Sequence, residues 1–143
     1  MKYQFTEKDE DTTILKYQDK EFEIKRDVEL QTKVQSIHSK ARTKMFIELT
    51  KQGIKKEDLI IKEIKNGKTY EDNSNLQEVE KGYVEIETLN LMDEISKKYT
   101  NMTFSELIID IGLSENNYKE IENFTKDFTL AIRNNNKTPS KSI

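Results

Sequence analysis

The chain has 143 residues, no cysteine, no tryptophan, one proline and one histidine, and 36% of it is Asp, Glu, Lys or Arg against 34% hydrophobic. A chain of about this length builds one hydrophobic core, burying roughly 68–70% of the surface that its unfolded form exposes. The lack of cysteine excludes a disulfide framework, a thiol nucleophile and thiolate zinc sites, leaving His38 as the sole nitrogen ligand.

The 24 basic and 27 acidic residues give a formal charge of -3. They alternate along the chain, so no basic field of the kind that draws phosphates is present. Only Arg26, Arg42 and Arg133 are arginines, the residue from which base and phosphate forks are usually built. Nucleic acid is therefore not the expected partner. Met1 to Asp11 is polar and acidic, and no run of about 18 apolar residues occurs, so neither a leader nor a membrane span is expected and the location reads as cytoplasmic.

In chain order, residues 6–13 lack a large apolar side chain, and the first twelve residues read as a flexible segment. Ile14–Tyr17 and Glu21–Ile24 flank Gln18-Asp19-Lys20 with apolar residues at alternate positions, which predicts a β-hairpin. Asp27 is placed to cap a helix, and Leu30, Val34, Ile37, Ala41, Met45 and Leu49 recur every three or four residues up to Gly53, predicting one long amphipathic helix.

Residues 57–72 read as a helical turn or a strand at Asp58–Ile64. Asn66-Gly67 favours a second hairpin, Leu59–Lys65 paired with Lys68–Glu71. A second long helix follows through Leu76, Val79, Tyr83, Ile86, Asn90 or Leu89, Ile95 and Tyr99, with Gly82 its weak point. Thr103-Phe104-Ser105-Glu106 is a capping box opening a short helix that Gly112 ends. Ser114 is placed to cap a last helix with the face Tyr118, Ile121, Phe124 or Thr125, Phe128 and Ile132. Residues from 133 onward read as a disordered tail. The expected fold is α+β and predominantly helical, about four helices with two short hairpins in one domain over residues 13–132.

No residue pattern calls for catalysis. His38 lies on the flank of an apolar stripe with no second histidine to orient it. Glu106/Asp110 and Asp93/Glu94 are carboxylate pairs of the sort that a charge-rich chain produces by chance, and Glu106 already has a capping task. The four glycines are far apart, so no phosphate loop is present. No metal and no cofactor are expected. The informative segment is Phe104–Ile111, where five large apolar residues fill eight positions, more than one buried face needs. Phe104, Leu107, Ile108 and Ile111 are thus candidates for a partner-binding face as well as for the core.

The layout resembles the tail assembly chaperones of long-tailed bacteriophages and prophages. The resemblance rests on the strand pair Leu15-Lys16-Tyr17 and Lys20-Glu21-Phe22-Glu23-Ile24, a charged helical middle, Met102-Thr103-Phe104-Ser105-Glu106-Leu107, and a last helix through Phe124 and Phe128 before the polar stretch Asn134–Ser142. It implies a non-enzymatic cytoplasmic protein that coats the tape measure protein and helps bring tail tube subunits to it. It also implies a second, frameshifted longer form, for which the Asn134–Lys137 run offers A-rich codons. The lysine- and asparagine-rich usage suits a low-GC bacterium or its phage. An immunity or antitoxin-type inhibitor is the alternative of another class; it predicts a contiguous acidic patch, whereas here the acids alternate with lysines.

Overall fold

Leu15 and Ile24, both fully buried, mark the inner face of the first of two sheets in this protein. The structure is a computed structural model and describes residues 2–113 and 116–133. Among these, five helices and two antiparallel sheets occur, so the fold is α+β and helix-rich. The chain divides into two compact units, residues up to Gln35 with those from Leu91 onward, and Ser36–Asn90. One domain over residues 13–132 was the expectation.

In the first unit, β1 (Gln4–Asp9), β2 (Thr12–Tyr17) and β3 (Lys20–Lys25) form a sheet in sequential order. Residues 6–13, expected as part of a flexible lead-in, are instead β1 and the start of β2. Side chains 6–11 are exposed and Thr12 and Thr13 are buried, while the backbone pairs Phe5 with Leu15 and Glu7 with Thr13. The predicted hairpin is present, with Leu15 opposite Phe22 and Gln18 in the left-handed region at the turn. Helix α1 (Val28–Gln35) opens where Asp27 Oδ1 accepts the Leu30 amide at 2.8 Å.

Helix α4 (Phe104–Ile111) begins with the predicted capping box. Thr103 Oγ1 accepts from the Glu106 amide at 3.1 Å and Glu106 Oε1 accepts from the Thr103 amide at 2.8 Å. Helix α5 (Tyr118–Arg133) lays Phe124 and Phe128 against the sheet, and Phe5, Phe104, Phe124 and Phe128 pack ring to ring with centroids 5.1–6.5 Å apart. Asn117 receives the Glu120 amide at this helix's start. Ser114 and the tail from Asn134 lie outside the described residues, whereas Arg133, assigned to that tail, closes α5.

In the second unit, α2 (Ile37–Lys51) runs on from Ser36, so the single long helix expected from Asp27 to Gly53 is two helices. Ser36 sits at φ -92°, ψ 2°, and its carbonyl accepts the Lys40 amide as α2 starts. The apolar period continues unbroken through Ser36. The break coincides with the unit boundary, with Leu30 buried in the first unit and Met45 and Leu49 in the core of the second. Gly53, at φ 74°, ends α2 in a Schellman motif: its amide bonds Thr50 O and the Ile54 amide bonds Leu49 O at 2.8 Å.

Met45, Leu49 and Leu76 form this unit's core, with Ile54, Leu59, Ile60, Val79 and Tyr83 packed around it. A 3-10 turn, Lys56–Leu59, leads to the predicted second hairpin, β4 (Ile61–Lys65) and β5 (Lys68–Asp72). Asn66 and Gly67 both have positive φ, as a type I′ turn requires. Helix α3 (Ser74–Thr100) contains residues of both units; its Leu76 is buried in the second, and Leu91, Met92 and Ile95 in the first.

Candidate interaction groove

The four candidate partner-binding residues of α4 do not present a free face. Leu107 is fully buried, Phe104 and Ile111 are buried, and Ile108 is half-buried, so the segment's apolar excess is spent in the core of the first unit. Packing on two sides explains this, since Phe104 stacks on Phe124 and meets Phe128 edge to face while Asp110, on the same short helix, is held to the β2–β3 hairpin. The large apolar residue of α4 that reaches solvent is Ile109, at 67% exposure.

The carboxylate pairs are likewise occupied. Glu106 caps its helix, and Asp93 Oδ1 accepts the Phe104 amide at 2.8 Å. Glu94 bonds Lys33. Asp110 Oδ2 accepts from Tyr17 Oη at 2.6 Å and from Lys20 Nζ at 2.5 Å. These donors hold the Asp110 carboxyl below the usual carboxylate range, Lys20 first and Tyr17 second. His38 is exposed, and among the described residues no group of three or more His, Asp or Glu is arranged to hold a metal ion.

A different feature of the first unit is concave and partly apolar. Where β1 meets α5, Tyr3, Gln4, Phe5, Glu7, Thr13, Asp127, Leu130 and Ala131 line a groove of about 340 Å³, at the small end of the range for ligand pockets. The alternation of β1 points Phe5 inward to Phe124. Along α5 the buried positions are Phe124, Phe128, Ala131 and Ile132, which leaves Leu130 at 66% exposure on the groove's rim.

The ionisable groups that line the groove are already partnered. Tyr3 Oη donates to Asp127 Oδ2 at 2.7 Å; burial first and that carboxylate second push the Tyr3 phenol well above its ordinary value. Beneath, Arg26 is 3% exposed and donates to Thr13 Oγ1, Ala131 O, Glu7 Oε1 and Glu10 O. Thr13 also donates to Glu7 Oε2 at 2.9 Å. The arrangement is a partly apolar slot with the carboxylates of Glu7 and Asp127 held at its edges.

Sequence reasoning missed both the slot and Arg26. The alternation Thr13, Leu15, Tyr17 is the signal in the sequence that carries Thr13 into β2, and nothing local marks Arg26 as buried. No helix of the described residues is long and apolar enough to cross a membrane. Comparison with protein-family models, curated proteins and solved structures finds no match.

Proposed function

We propose that this protein is a non-enzymatic, cytoplasmic tail assembly chaperone of phage or prophage origin that binds the tape measure protein and helps deliver tail tube subunits to it. The observation that carries the protein-binding part of this reading is the groove between β1 and α5. There, Leu130 is exposed beside Phe5 and Ala131, and every ionisable side chain at the edge is already hydrogen bonded. Such a slot favours an apolar side chain from an amphipathic client helix. The surrounding mixture of lysine and carboxylate keeps the complex soluble.

Co-expression with the tape measure protein encoded beside it tests the reading. The client co-purifies and gains solubility, and Leu130→Asp, at a position that packs little, abolishes both. A client that neither co-purifies nor becomes more soluble overturns the proposal, and a Leu130→Asp variant that binds as well as the parent overturns the placement in the groove.

A further inference from the structure

All ten residues of the β4–β5 hairpin are exposed, yet the strands carry Ile61, Ile64 and Tyr70, at 47%, 77% and 49% exposure. A two-stranded hairpin in water is marginal by itself, and here no described strand adds to either edge. The register is Lys65 opposite Lys68, Glu63 opposite Tyr70 and Ile61 opposite Asp72. These are the hydrogen-bonded pairs that a two-residue turn produces. The backbone N–H and C=O groups of Thr69 and Glu71 therefore point away from β4, toward the open edge. That edge has no proline and no bulge, two of the devices against strand addition, and its charged residues are of both signs.

We infer that the β5 edge pairs with the β5 edge of a second copy of this chain, giving a four-stranded antiparallel sheet in the order β4-β5-β5-β4 about a twofold axis at Tyr70. The sequence of β5, Lys68-Thr69-Tyr70-Glu71-Asp72, is self-complementary in this register. Lys68 of each copy lies opposite Asp72 of the other, and Thr69 and Glu71 exchange the backbone bonds that the hairpin leaves unmade. Tyr70 meets Tyr70 of the second copy at the close, non-hydrogen-bonded pair, where cross-strand aromatics interact best. Every one of the five positions is matched or neutral.

The β4 edge fails the same test. Full overlap of Ile61-Lys62-Glu63-Ile64-Lys65 with itself sets Glu63 against Glu63 and Ile61 against Lys65, and like charges directly opposite are destabilising. On the β5 side, Ile61 shares a face with Tyr70, so the paired sheet joins two Ile61 and two Tyr70 side chains into one apolar stripe. A single five-residue edge buries far less than the roughly 800 Å² per partner of a standard interface, so the association is a concentration-dependent equilibrium. This surface belongs to the second unit and is separate from the client groove, and its failure would leave that reading intact.

Because the chain has no cysteine, a thiol introduced on the hairpin reports on its neighbour alone. In a glutathione redox buffer, Tyr70→Cys on the full-length protein forms a covalent dimer at least about tenfold faster than Ile64→Cys on the β4 strand, because opposed non-hydrogen-bonded positions match disulfide spacing. In sedimentation equilibrium the parent chain shifts from monomer to dimer with concentration. Lys68→Glu, which turns both cross-pairs repulsive, raises the dissociation constant about tenfold at low salt. Equal cross-linking rates at positions 70 and 64, a parent chain that stays monomeric at all concentrations, or unchanged association of Lys68→Glu overturns the inference. Circular dichroism of each variant confirms that the exposed substitutions leave the fold in place.

Discussion

Tyr17 Oη donates to Asp110 Oδ2 at 2.6 Å, joining the β2–β3 hairpin to helix α4 across 93 residues of sequence. Lys20, at the other side of the turn, shares the same carboxylate oxygen. Tyr17→Phe removes one hydrogen bond without opening a cavity, and urea unfolding should show a loss of about 0.5–1.5 kcal/mol. The Asp110 carboxyl is held below its ordinary value, so its contribution is present above the unfolded carboxyl range and disappears as pH falls through the folded value. The stability difference between the parent and Asp110→Asn should accordingly vanish under strongly acidic conditions.

The phenols of Tyr3 and Tyr17 are both pushed above the ordinary value, by burial first and by their carboxylate partners second. A raised pKa means that the folded form favours the neutral phenol. Stability from these two groups is therefore complete below the unfolded value of about 10 and is lost as pH rises above it. Burial raises the Tyr99 phenol as well, by less, so ultraviolet titration of the six tyrosines should show Tyr3 and Tyr17 as a late fraction that resists ionisation, after Tyr99, until the fold is lost. With Tyr3→Phe and Tyr17→Phe together, that late fraction should be gone.

Helix α4 separates a core role from a surface one within three residues. Leu107 is fully buried and Ile109 is 67% exposed. Leu107→Ala should cost about 2–5 kcal/mol, while Ile109→Ala should stay within about 0.5 kcal/mol, both read from denaturant midpoints at constant slope.

Arg26 holds four acceptors beneath the groove, two of them backbone carbonyls of Glu10 and Ala131. Arg26→Met leaves these and Thr13 without a donor and should cost about 2–4 kcal/mol. Its charged partner Glu7 is largely exposed, with 58% of its side chain accessible. Glu7→Gln should therefore change stability by less than about 1 kcal/mol. A reversed order of these two effects in thermal melts would contradict the network described.

Where local chemistry is self-sufficient, the elements were legible before any coordinates. Asn66-Gly67 specified a two-residue turn through its positive φ values, and Thr103 with Glu106 specified a helix start through two reciprocal hydrogen bonds. Asp27 and Gly53 marked the outer ends of a helical stretch for the same kind of reason. The site was less legible than the fold. Phe104, Leu107, Ile108 and Ile111 showed an apolar excess, but apolarity alone does not tell a core helix with two packed sides from a helix awaiting a partner.

What the sequence by itself determined is the helix-rich α+β character, the two hairpins, the cap chemistry and the absence of thiol chemistry, since each depends on residues within a few positions or on composition. Tertiary structure decided the rest. The period from Leu30 to Leu49 is continuous, yet the helix breaks at Ser36, at the boundary between the two units, with Leu30 in the first and Met45 and Leu49 in the core of the second. The polar residues Thr6–Asp9 became part of a strand because the β2 edge supplied hydrogen-bond partners that no local pattern records. Arg26 became buried because Thr13, Glu7, Glu10 and Ala131, up to 105 residues away, converge on it. Long-range pairing and the choice of which face is covered are collective properties of the packed chain, and they place the groove between β1 and α5.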